Sequence, residues 1–218
     1  MNSQTHVLMG AALFGKPMPR LAWAAAAGSL VPDLPMYVTV GTLRIAGFPL
    51  SEIFRRIYWQ DWWQIANAVG HNFLLWSGLA LASGLALSGR TRRAWPAAAA
   101  EPGARPLTAK TSREGAAALV FAFSASALLH SAIDFLFHRD DAHMHFWPLS
   151  DWRFRSPVSY WDANHYGNWF GLFEAAIGIL LVVILFRRYR ALWVRIALLV
   201  ALALYVAVPA FFFVTHHG

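Results

Sequence analysis

The chain has 218 residues, of which 58% are hydrophobic and only 13% charged, with a net charge of +7 and a mean hydropathy of +0.44. Soluble domains carry about 25% charged residues, so this balance points to a bilayer as the solvent. Cysteine is absent, which excludes a disulfide framework and a thiolate metal site. The basic excess does not mark a nucleic-acid binder: the Lys and Arg residues fall between apolar runs instead of forming one stripe, the pattern that sets the orientation of a membrane protein.

Residues 6–15 are apolar but too short to cross a bilayer and are expected to form a short N-terminal interfacial helix. Longer apolar runs follow at about 21–45, 66–88, 115–136, 169–187 and 193–214. The expected fold is therefore all-α, a multi-pass transmembrane bundle of about five spans in a single integral membrane domain, 1–218. Residues 89–114, "GRTRRAWPAAAAEPGARPLTAKTSRE", are basic and rich in Pro and Ala, and read as a flexible cytoplasmic linker. With that end inside, the His/Asp/Trp-rich loop 139–168 falls outside the cytoplasm, and 169–187 returns to the cluster Arg187, Arg188, Arg190.

Within the 21–45 run, "GSLVPDLP" sets Asp33 between two prolines that deny the backbone a regular helix. Broken backbone at membrane depth is tolerated where it lines a cavity, so Asp33 reads as a cavity residue. A carboxylate at that depth costs at least ~2.5–3.5 kcal/mol on insertion scales. Asp33, Asp134 and Glu174 all lie in or beside apolar runs, and each needs a partner: an ion, an arginine or a helix end.

His130 and Asp134 are four residues apart and share one face of a predicted helix. Imidazole and carboxylate at that spacing suit a divalent ion such as zinc. The segment that follows, "HRDDAHMH", adds His138 one turn on, then Asp140, Asp141, His143 and His145. These exceed what one tetrahedral ion needs, so either two metals share the site or several of these residues bind substrate and orient the ligands. His6 and His71, the latter opening "HNFLLW", supply two more imidazoles, each equally readable as an interfacial histidine. "GAALFGKP" nearly spells a phosphate-binding loop, but Pro17 stands where a Ser or Thr is required, and no G-x-S-x-G, H-E-x-x-H or dinucleotide fingerprint occurs.

Taken in order, Thr5-His6, Pro32-Asp33, His71 and His130-x-x-x-Asp134 resemble the YdjM-like inner-membrane metal-dependent hydrolases, which in turn look like the zinc-dependent phospholipase C superfamily. The similarity covers roughly residues 1–145, as sparse single positions. A further stretch, "HRDDAHMHFWPLSDWRFRSPVSYWD", is similar to a proteobacterial membrane-protein group often labelled as cobalamin-biosynthesis proteins. An amidotransferase-type synthase would need a nucleophilic cysteine, which this chain lacks. The phospholipase-type site also uses a terminal amino group and a later His-x-x-x-Glu. Neither has an evident counterpart: Met1 is followed by polar residues, and Glu174 is nine residues from His165.

The residues and the resemblance together imply a metal-dependent hydrolase of the bacterial inner membrane acting on a phosphoester or lipid-linked substrate. A divalent cation, zinc by preference, would be held by some of His6, Asp33, His71, His130, Asp134 and His138. Asp140 or Asp141 would act as general base, and Arg139, Arg153 and Arg155, with His143 and His145, would bind the substrate. The expected partners are membrane lipid and that small-molecule or lipid-linked substrate. The alternative is a non-catalytic membrane protein for metal or cobalamin-related transport or assembly, and a third reading makes the loop a structural lid.

Overall fold

Proline placement sets the first breaks in the chain. A computed structural model describes residues 1–15, 18–98 and 112–217. It opens with α1 (Ser3–Phe14) and α2 (Pro19–Leu30), then a 3-10 turn at Val31–Asp33, then α3 (Leu34–Ile45). Pro19 and Pro35 each stand in the first turn of a helix, where the missing N–H has no intrahelical partner to lose. The apolar run at 21–45 is thus not one rod. It is largely two helices of 12 residues, each about 18 Å long at 1.5 Å per residue, too short to cross hydrocarbon of ~30 Å.

The chain continues through α4 (Leu50–Arg55), α5 (Asp61–Gly70), α6 (Phe73–Ala98), α7 (Ser112–Phe137), α8 (Gly167–Arg188) and α9 (Leu192–His217). The fold is all-α, with no strand among the described residues. Two helical segments, Gly115–Phe137 and Gly167–Arg188, are long and apolar enough to cross a membrane. Of the expected linker 89–114, residues 99–111 lie outside the described residues, while α6 continues to Ala98 and α7 begins at Ser112.

Helix α7 sits at the centre, with α1, α2 and α6 packed against it. The α2–α7 approach depends on Gly28, where an added Cβ would lie 2.0 Å from the Phe123 carbonyl oxygen. Ala25 and Ala122, both buried, continue the same close seam. The first helix departs from the expected surface position: α1 packs against α2, α7 and α8 and buries Thr5, His6, Leu8 and Gly10. Leu8 joins Leu181, Val182, Leu185 and Leu198 in one apolar cluster between α1, α8 and α9. A smaller core of Ile53, Tyr58 and Trp63 folds α3 to α5 into an arm beside the Val31–Asp33 turn. Burying side chains of this size stabilises the arm by ~1.5–3 kcal/mol each relative to exposure in water.

Candidate metal centre

The central side chains come from four places in the chain. On α7, His130 and Asp134 are one turn apart, and His138, just past the helix end, still donates its backbone N–H to the Asp134 carbonyl at 2.9 Å. Asp33 comes from the proline-bounded turn. His71 follows Gly70 at the end of α5, and Gly70 lets that end reach the turn: a Cβ there would lie 2.5 Å from the Pro32 carbonyl oxygen. His6 comes from α1, its ring stacked on that of His130 with centroids 3.7 Å apart.

Asp33, His71, His130 and Asp134 are all buried, and each offers one ligand atom within 4.8 Å of the others. His130 Nε2 lies 2.9 Å from Asp134 Oδ2 and 3.6 Å from Asp33 Oδ1. His71 Nε2 lies 3.3 Å and 3.7 Å from the same two carboxylates. The far nitrogens fix the tautomers. Both Nδ1 atoms face backbone carbonyls, His71 to Asn67 at 3.0 Å and His130 to Ser29 at 2.6 Å. A carbonyl only accepts, so each Nδ1 carries a proton and each ring turns its Nε2 inward, toward the two carboxylates. Those two Nε2 atoms are buried without a hydrogen-bond partner. Lone pairs of two imidazoles and two carboxylates converging in a buried space fit a divalent cation, and the carbonyl-anchored Nδ1 is the usual support for a metal-binding histidine.

A second group, Asp134, His138 and His143, meets the same distance condition and shares Asp134 with the first. His143 stacks on His71 with centroids 3.8 Å apart. Burial, reinforced by the charges of His71 and His138, holds its pKa well below the ordinary histidine value, so it is a neutral donor. Burial also acts to lower the pKa of His138, but the charge of Asp134 and hydrogen bonding with Asp134 and Asp141 outweigh it and raise the value to about 9. His6 belongs to neither group. Its Nε2 lies 3.0 Å from Asp134 Oδ1 and, facing a carboxylate, acts as a donor that holds this oxygen.

The expected acid–base and substrate residues separate. Asp141 lines the inner cavity, of about 120 Å³, together with Asp33, His71, Asp134, His138 and His143. Its Oδ2 is 3.1 Å from His138 Nδ1 and its Oδ1 is buried without a partner. Asp140 faces a second, outer cavity of about 530 Å³, together with Arg139, Arg153 and Arg155. His145 lines neither cavity. It packs against Phe73 and Phe135, and burial, aided by His71, lowers its pKa to about 4.

Several inner-cavity residues have no signal in the sequence. Met1 was expected to offer no counterpart to the terminal amino group of the phospholipase-type site, yet its amino group donates to Asp134 Oδ1 at 3.1 Å in a buried pair. Ser3 hydrogen-bonds Asp33 and lies 2.6 Å from the Tyr37 hydroxyl. Glu174 belongs to no His-x-x-x-Glu. It accepts from Asn2 N at 2.7 Å, Asn2 Nδ2 at 2.9 Å and Thr5 Oγ1 at 2.6 Å, and so holds the start of α1. Tyr58, Asn67 and Tyr160 also line the cavity. Only Asn67 had a readable cue, its four-residue spacing from His71 on one helix face.

Fold and site together define an all-α protein with a buried His/Asp cluster able to hold a metal ion. Comparison with protein-family models, with curated proteins and with solved structures yields no match.

Proposed function

We propose that this protein is a membrane-bound hydrolase that uses a divalent cation, zinc by its nitrogen and oxygen donors, on a phosphoester or lipid-linked substrate. The observation that carries this reading is the convergence of two buried Nε2 atoms, on His71 and His130, with the carboxylates of Asp33 and Asp134. When bound, a divalent cation would supply Lewis acidity and make water a usable nucleophile near neutral pH. Asp134 belongs to both candidate ligand groups and would help hold an ion in either.

The chain's own groups supply the rest. Burial acts to raise the pKa of Asp141, but hydrogen bonding with His138 and its charge keep it below the ordinary carboxylate value, so Asp141 is an anion in the inner cavity and the better placed general base. Burial and the charge of Asp141 raise Tyr58 to about 12 and push Tyr160 well above its usual value. Both phenols therefore keep their protons and can donate to a phosphoryl oxygen.

In this reading α7 and α8 cross the inner membrane, the chain is multi-pass, loop 139–168 faces away from the cytoplasm, and 89–114 and 187–192 face it. A reporter that is active only in the cytoplasm, fused after Trp152, should be silent. The chemistry is tested by incubating purified protein with bis(p-nitrophenyl) phosphate before and after chelation and zinc restoration. Release of nitrophenol that disappears with chelation and returns with zinc is expected. Stoichiometric metal without cleavage of any phosphoester in a panel would favour the transport or assembly alternative.

A further inference from the structure

The outer cavity has a built chemistry of its own. It presents three guanidiniums, Arg139, Arg153 and Arg155, and three carboxylates, Asp61, Asp140 and Asp151, in one hollow of about 530 Å³. Among the described residues the one Arg–carboxylate ion pair is Arg56–Glu52, so none of these six groups is locked in a direct ion pair with another. Arg153 is fixed in place: its NH1 donates to Gln64 Oε1 at 2.9 Å and to the Ala142 carbonyl at 2.6 Å. Arg139 is anchored by a bond from NH1 to the Ser156 carbonyl at 3.2 Å. Two indoles, of Trp59 and Trp147, complete the lining with apolar rings.

The two cavities are neighbours across one wall. Along residues 140–144, side chains alternate between them: Asp140, Ala142 and Met144 line the outer, Asp141 and His143 the inner. On α5 the change runs along the axis, with Asp61 and Gln64 outside and Asn67 and His71 inside. From Gln64 to His71 is seven residues, about 10 Å at 1.5 Å per residue.

We propose that the outer cavity binds a phosphorylated sugar. Anchored guanidiniums match a phosphate in both charge and fork geometry. Three carboxylates in the same hollow would repel a bare polyanion but accept hydrogen bonds from hydroxyls, and the indoles offer flat apolar faces to the C–H side of a sugar ring. Assigning this sugar phosphate as the part of the substrate that the inner cavity does not hold rests on the hydrolytic reading above. The binding site itself does not.

The test uses full-length protein in detergent, stripped of metal, titrated calorimetrically with glucose 1-phosphate, glucose and inorganic phosphate. Glucose 1-phosphate should saturate, with glucose and phosphate each about tenfold weaker or more. Arg155→Ala and Asp151→Asn, both at exposed positions, should each weaken glucose 1-phosphate about tenfold, the loss of one hydrogen bond to a charged group. Both should leave zinc content unchanged on reloading. Phosphate binding as tightly as glucose 1-phosphate, no saturation by glucose 1-phosphate, or either variant binding like wild type would overturn the proposal. Asp134→Asn should retain this binding, so a failed hydrolase reading and a failed sugar site give different results.

Discussion

His130 donates its Nδ1 proton to the carbonyl oxygen of Ser29 across 2.6 Å, joining α7 to α2. The bond fixes which face of the imidazole looks inward, because the carbonyl can only accept. It is possible because α2 runs close to α7 one residue earlier, where Gly28 lies against the backbone of Phe123. The close approach of two helices thus sets which nitrogen of a buried histidine faces inward.

Gly28→Ala tests that dependence. The added methyl would sit 2.0 Å from the Phe123 carbonyl oxygen, so the helices must separate. Overpacking of this kind costs ~1–3 kcal/mol, and loss of a ligand's anchoring bond lowers metal affinity ~10–100-fold. Thermal unfolding and competition with a chromophoric chelator measure the two effects.

The His130–Asp134 pair was legible in the sequence because both residues lie on one helix, where a four-residue spacing fixes their shared face. Asp33 was legible because two prolines flank it. The apolar runs at 115–136 and 169–187 correspond closely to the apolar parts of α7 and α8, but the run at 21–45 concealed a change of element, since hydropathy does not register the direction of the chain. His143 and His145 look equivalent in sequence, and the path of their segment separates them: one lines the inner cavity, the other lies among phenylalanines. The contact of Met1 with Asp134 spans 133 positions and follows no local period. Arg153 reads as an anion binder, but two of its hydrogen bonds go to the protein itself.

Metal binding should release a proton from His138. With its pKa raised to about 9, this residue is protonated at pH 7 in the metal-free protein, while the strongly lowered His143 is already neutral. Apparent zinc affinity should therefore rise as pH increases from 7, by up to tenfold per unit, and level off above about 9. Without metal the sign reverses. The stability that His138 gains from its acidic neighbours is complete below its unfolded pKa of about 6.5 and is lost as pH rises through about 9. Calorimetry of zinc binding in buffers of different ionisation enthalpy counts the proton, and unfolding of the metal-free protein across the same pH range checks the second sign.

Glu174→Gln separates clamp from ligand. The carboxylate accepts three hydrogen bonds from Asn2 and Thr5, and an amide must turn one donor against another donor. Hydrogen bonds to charged groups contribute ~1.5–3 kcal/mol, so the melting temperature should fall by several degrees. Zinc stoichiometry should stay at the wild-type value, because Glu174 belongs to neither ligand group. Loss of metal with an unchanged melting temperature would instead place Glu174 at the metal.

Asp134 is the one side chain shared by both ligand groups, and its conversion to asparagine keeps shape and helix while removing the charge a divalent ion requires. The decisive measurement is metal content by elemental analysis of purified wild type and Asp134→Asn, after equal zinc exposure and with matched helical circular dichroism. The predicted result is stoichiometric metal in the wild type and a loss of at least ~10-fold in affinity in the variant. Equal metal occupancy in the two folded proteins, or none in either, would contradict the metal centre.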